Sequence, residues 1–144
     1  MHVAAVLKRK GSTIVTANPE DRVAAVARKL AQHRIGAVLV MRGDSTPAGI
    51  LSERDIVRAV AAEGADALNR AASELMTREL VTGRPTDTVS QIMAVMTERR
   101  IRHVPILDEG RLVGLVSIGD VVKARLDDAE LEVESLRGYV ATIR

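Results

Sequence analysis

Two seven-residue stretches carry side chains that could bind or react: Gly49-Ile50-Leu51-Ser52-Glu53-Arg54-Asp55 and Gly114-Leu115-Val116-Ser117-Ile118-Gly119-Asp120. In each, an apolar, β-prone run ends at serine and a helical pattern begins at the next residue. The Ser-x-x-Asp spacing has a local reading as a helix capping box, in which the hydroxyl accepts from a free backbone N–H and an acid in the first turn complements the helix dipole. It also has a binding reading. Free N–H groups and a hydroxyl at a helix start suit an anion, and a carboxylate one turn on can accept two hydrogen bonds from a ribose diol. One copy does not separate the two readings; its recurrence makes the turn a site candidate.

The elements that must position these turns are themselves duplicated. Residues 14–42 match residues 80–108 at an offset of 66, pairing Val15 with Val81, Thr16 with Thr82, Pro19 with Pro85, Asp21 with Asp87, Arg34 with Arg100 and Val38 with Val104. Past the following turn the offset is 65, pairing Gly49 with Gly114, Ser52 with Ser117 and Asp55 with Asp120. A one-residue deletion in that turn accounts for the change, and loop length is where related units differ most freely. Each copy reads as a short strand (Ile14 to Thr16; Leu80 to Thr82), a helix, a hairpin and a closing helix (Glu53 to Ala62; Ile118 to Leu126). The first helix of each copy places Val23, Val26, Ala27 and Leu30, or Val89, Ile92, Met93 and Met96, at i, i+3, i+4, i+7 spacing, which makes those faces core. The near-continuous apolar strands call for cover on both faces. The fold class is therefore α/β (α+β), two pseudo-symmetric β-α-β-β-α repeats packed about a pseudo-two-fold axis. The expected divisions are an N-terminal helix at 1–10, repeats at 11–62 and 76–128, a connector at 63–75 and a terminal helix at 129–144. That last helix, with Leu131, Leu136 and Tyr139-Val140 in an amphipathic pattern, packs either on its own domain or on a second copy.

Composition narrows the function. Tyr139 is the only aromatic residue, which argues against base-stacking platforms. The formal charge of +2 marks no obvious nucleic-acid partner. The lack of cysteine excludes disulfides, thiolate nucleophiles and Cys-ligated zinc. No apolar run approaches the roughly 20 residues of a membrane span, and the N-terminus has the wrong charge order for a secretory signal, so the expectation is a soluble, cytoplasmic protein. His2, His33 and His103 are scattered, and no phosphate-binding, dinucleotide-binding or metalloprotease motif is present. Neither a metal site nor a catalytic set is expected.

With both copies in register, the chain resembles the tandem cystathionine-β-synthase (CBS) domain pair, the Bateman module, over about residues 11 to 128, and in particular the small stand-alone CBS-pair signal-transduction proteins. The markers are the Thr16 and Thr82 strands before Pro19 and Pro85, the Arg102-His103-Val104-Pro105-Ile106-Leu107 strand and the two Gly-x-x-Ser-x-x-Asp turns. The resemblance implies clefts between the repeats that take AMP, ADP, ATP, NAD or S-adenosylmethionine as a regulatory ligand, with no required cofactor. It implies that Asp55 and Asp120 hold ribose hydroxyls and that Ser52 and Ser117 meet ribose or phosphate. Thr16 and Thr82 line the adenine pocket, with Val38, Leu80, Val104 and Pro105 as further cleft residues. Arg102 and His103 occupy positions where the family carries basic residues toward phosphate. A homodimer is the expected assembly, with ligand occupancy shifting the packing of the two repeats, or of two protomers, and an unknown downstream protein reading the difference.

Where copy two has Arg102-His103-Val104-Pro105, copy one has Gly36-Ala37-Val38-Leu39, so it lacks the cationic pair. Arg54 either supplies a charge there or lies on the surface. His103 is either a satisfied strand histidine or a phosphate contact. The expectation is two unequal clefts, with the one built on Asp120 better equipped for a charged tail. Two alternatives stand beside the nucleotide sensor: a nucleic-acid binder using Arg99, Arg100 and Arg102, and a purely structural dimerisation module.

Overall fold

The structure, a computed structural model, describes residues 1–11, 13–43 and 45–143, with side chains in the last helix described as far as Gly138. Helix α1 (Val3–Lys10) comes first, then β1 (Thr16–Ala17), α2 (Val23–His33), the hairpin β2 (Ala37–Arg42) and β3 (Thr46–Ser52), and α3 (Glu53–Glu63). A 3-10 turn over Gly64–Asn69 and the short α4 (Ala72–Leu75) lead into α5 (Val89–Arg99), the hairpin β4 (His103–Asp108) and β5 (Arg111–Ser117), and α6 (Ile118–Ile143). In copy one β1 runs parallel to β2, and β2 antiparallel to β3. The β4–β5 pair is antiparallel too, and each hairpin carries a register shift at the same place, between Val40 and Met41 and between Ile106 and Leu107.

Two sequence expectations need correction. Leu80 to Thr82 does not form a strand; a single parallel bridge at Gly83 and Ile106 stands in its place. Gly83 N–H donates to Pro105 O at 2.9 Å and Gly83 O accepts from Leu107 N–H at 2.9 Å. The next bond toward Val81 would need an N–H on Pro105, and proline has none. Leu39 holds that position in copy one, and there β1 keeps two paired residues. The closing helix of copy two and the terminal helix are also a single element, because no glycine or proline interrupts the run from Asp120 to Arg137. Tyr139 and Val140, counted on its apolar face, lie outside the described side chains.

There are two cores. Val23, Val26, Leu30, Val38, Val40, Leu51 and Ile56 make the first, joined by Ala72 and Met76 from the segment that precedes copy two. Val89, Ile92, Met96, Val104, Ile106, Val116 and Val121 make the second, joined by Val3 and Val6 of α1. Each repeat thus borrows the helix that precedes the other. The backbone contacts match one for one: Val3 N–H to Asp87 O (2.9 Å) and Ala4 N–H to Pro85 O (3.0 Å) on one side, Ala72 N–H to Asp21 O (2.7 Å) and Ser73 N–H to Pro19 O (3.0 Å) on the other. The first glycine of each motif makes room for this exchange. A Cβ on Gly49 would lie 2.7 Å from Met76 Sδ and 2.8 Å from the Thr77 carbonyl, and one on Gly114 would run into Leu7.

Successive side chains of β2 point to opposite faces. Val38 and Val40 enter the first core, yet Ala37, Leu39 and Met41 are buried as well, so this strand is covered on both sides. The repeats meet where β3 lies beside β5. No helix among the described residues is long and apolar enough to cross a membrane.

Candidate functional site

At the first turn, Ser52 N–H donates to Asp55 Oδ2 (2.9 Å), Ser52 Oγ–H donates to the same oxygen (3.0 Å), and Asp55 N–H donates back to Ser52 Oγ (3.2 Å). At the second, Ser117 N–H donates to Asp120 Oδ2 (2.8 Å) and Asp120 N–H to Ser117 Oγ (3.2 Å). The first helical amides are engaged as well, Glu53 N–H by Gly36 O (2.9 Å) and Ile118 N–H by Arg102 O (2.8 Å). Both turns are therefore capping boxes, and most of the donors that could have held an anion are already used. What the capping leaves over is Oδ1 of each aspartate, which accepts no hydrogen bond from a described residue.

Two clefts of the same order of size, about 220 and 320 Å³, contain these carboxylates, so they differ in chemistry more than in volume. Asp55 and Ser52 share theirs with Arg54 and Arg58 of α3 and with Arg100, Ile101, Arg102 and His103 at the entry to β4. Asp120 and Ser117 share theirs with Lys10 of α1, with Thr13, Ile14 and Val15 before β1, and with Arg34, Ile35 and Gly36 at the entry to β2. Each cleft pairs the turn of one repeat with the strand entry of the other. This corrects the expected ranking, because Arg102 lines the Asp55 cleft and not the cleft of its own repeat's Asp120. The cause lies at the dyad, where the β2 and β4 entries meet. A Cβ on Gly36 would lie 3.3 Å from His103 Cε1, so the glycine that removed a charge from copy one also admits His103, which lines both clefts.

The other expected residues are placed differently. Val38, Val104 and Pro105 are fully buried and form no part of either wall. Thr16 receives Lys29 Nζ on its carbonyl at 2.7 Å, and its predecessors Thr13 to Val15 line the cleft in its stead. Leu80 and Thr82 lie off the wall, where Thr77 stands.

Sequence reasoning missed Lys10, Arg58 and the role of Arg34 and Arg100. The last two had a signal, since arginine recurs at equivalent positions just past each first helix. Both adopt the left-handed conformation (φ 54° and 55°) that glycine or asparagine takes most easily at a helix end. A non-glycine residue there costs about 1–2 kcal/mol, a strain of the kind that collects at functional sites.

Charge is distributed unequally. Lys10 Nζ donates to Asp120 Oδ2 and to Leu115 O, both at 2.7 Å, whereas no cation bonds Asp55 among the described residues. Burial opposes the ionisation of Asp120, but the Lys10 hydrogen bond, the Ser117 backbone N–H and the Lys10 charge outweigh it and lower its pKa. Burial, then the charges of Lys10 and Arg102, hold His103 below the usual imidazole range against the pull of Glu53 and Asp120.

The CBS domain model matches residues 8–62 and 72–127. Among solved structures, the CBS-domain protein ATU1752 of Agrobacterium tumefaciens is 45% identical, with a TM-score of 0.84 over 87% of this chain and 99% of that one. The CBS domain-containing protein CBSX3, mitochondrial, of Arabidopsis thaliana is 32% identical over 96% of this chain and 71% of its own length. The CBS domain pair of protein MJ0100, solved in complex with 5-methylthioadenosine and S-adenosyl-L-methionine, shares the fold at 24% identity, with a TM-score of 0.76 over 86% of this chain and 98% of that one.

The depressed His103 pKa sets the sign of a pH effect. Between the folded value and the unfolded value of about 6.5, the unfolded chain binds a proton that the folded chain refuses, so stability rises with pH. The contribution is complete above about 6.5 and is lost as pH falls through the folded value. His103 ring protons followed by NMR should titrate with a midpoint below about 6.5, and His103→Gln should flatten the fall in urea midpoint below that pH. A midpoint at or above that value would contradict the electrostatics of the clefts.

Proposed function

Since the chain belongs to the CBS-domain family, with both repeats matched, we propose that it is a regulatory module that binds adenosine nucleotides in its two clefts and transmits occupancy through the packing of repeats or of two chains. One observation carries the reading. The Asp55 carboxylate, with Oδ1 to spare, shares a cleft with Arg54, Arg58, Arg100 and Arg102. A ligand that suits this wall has hydroxyl donors at one end and several negative charges at the other, as ADP and ATP do. Ile50 and Ile101 supply apolar surface for the base. The Asp120 cleft, with Lys10 and Arg34, suits a smaller charge, as in AMP or NAD. The adenosyl ligands bound by the MJ0100 pair are of the same nucleoside class. Binding of this kind needs no catalytic group, and a downstream protein would read the altered packing.

A homodimer fits the outer surface. Val57 on α3 and Val122 on α6, equivalent in the two repeats, are 67% and 51% exposed, and Leu126 is 60% exposed on the same helix as Val122. An apolar face carried by both pseudo-symmetric helices is what a second copy would cover.

Calorimetric titration with ATP tests the ligand reading. Asp55→Asn should weaken ATP about tenfold or more, from loss of charged hydrogen bonds, and Asp120→Asn should spare that binding phase. No heat and no thermal shift with ATP, ADP, AMP or NAD at millimolar concentration would refute the sensor. Sedimentation equilibrium tests the dimer: Val122→Glu should halve the mass, and a wild-type chain that sediments as a monomer at micromolar concentration would exclude it.

A further inference from the structure

Lys10 sits where the Asp120 cleft departs most from its twin. Its ammonium bonds Asp120 Oδ2 and Leu115 O. In copy one the carbonyl equivalent to Leu115 O is that of Ile50, and it accepts Thr77 N–H at 2.8 Å. The difference follows from chain length. The helix segment Met1 to Leu7 corresponds to Arg70 to Met76 at an offset of 69, whereas the first strands correspond at 66, so copy one has three more residues between helix and strand. Those residues are spent on an extra turn, Lys8-Arg9-Lys10, that continues α1 where α4 ends at Leu75. The turn rises from a fixed base: Val3 and Val6 lie in the second core, Leu7 presses on Gly114, and Arg9 pairs with Asp127.

We propose that Lys10 sets the ligand specificity of the Asp120 cleft, favouring adenosine compounds that bring an anionic group and disfavouring neutral ones. The inference rests on the reading that this cleft takes adenosine compounds. A ribose diol that engages both oxygens of Asp120 must displace the ammonium from Oδ2, which already accepts Ser117 N–H. A neutral nucleoside gives the displaced cation no anionic partner in return. A phosphate does, through a charge-assisted hydrogen bond. The same side chain therefore opposes one ligand and attracts the other, which is how specificity is commonly built. In the Asp55 cleft the diol displaces no cation.

The test is to titrate adenosine and AMP by calorimetry in an Asp55→Asn background, so that the Asp120 cleft is read by itself. Lys10→Met should lower the AMP-to-adenosine affinity ratio about tenfold, the size of one charged hydrogen bond, and adenosine should bind more tightly than before. Lys10→Arg should keep the preference for AMP. Lys10→Gln, which keeps a donor for Leu115 O, should behave as Lys10→Met does and guards against a folding defect in the latter. An unchanged ratio, or equal weakening of both ligands in Lys10→Met and Lys10→Gln, overturns the proposal. If the Asp55→Asn protein binds neither ligand while the wild type binds ATP, this inference fails alone. If the wild type binds none of them, the sensor reading fails and the inference with it.

Discussion

The helix that precedes each repeat packs on the other repeat, Leu7 against Gly114 and Met76 against Gly49, and the rest of the molecule depends on that exchange. A five-element repeat of this size buries only a marginal amount of apolar surface by itself. Val3 and Val6 together contribute about 3–6 kcal/mol of burial to a core that α1's own repeat does not supply. The exchange also fixes the geometry of the cleft walls. With α1 held on β5 and the connector held on β3, β3 lies beside β5, and the β2 and β4 entries meet at Gly36 and His103.

From that meeting comes the crossing of the clefts. In each aspartate Oδ2 closes a capping box, and Oδ1 accepts no hydrogen bond from a described residue. At Asp55 no cation holds the carboxylate, whereas at Asp120 a group that needed both oxygens would compete with Lys10 for Oδ2. Arg34 and Arg100 each hold a left-handed backbone where glycine would be easier, and each lines a cleft. The asymmetry of charge arises from small departures between copies: a glycine for an arginine at position 36, and one additional turn of α1.

What was legible in the sequence was what local spacing controls. The capping boxes, the hairpins and the core faces of α2 and α5 follow from serine, aspartate and apolar residues at fixed separations. What was hidden depends on residues far apart in the chain. The loss of the Leu80 to Thr82 strand is caused by Pro105, more than twenty residues on. The helix exchange has no sequence signal, because Met1 to Leu7 and Arg70 to Met76 share little beyond apolar character and sit at a different offset from the strands. The crossed walls follow from packing about the dyad: position in the chain groups Arg102 with Asp120 of its own repeat, whereas packing places it in the cleft of Asp55.

Amide chemical-shift mapping during titration with ATP tests this crossed arrangement most directly. The account predicts that the amides of Ser52 to Asp55 and those of Arg100 to His103 shift together, with one common affinity. Shifts of Arg100 to His103 that track Ser117 to Asp120, with Ser52 to Asp55 unmoved, would contradict it.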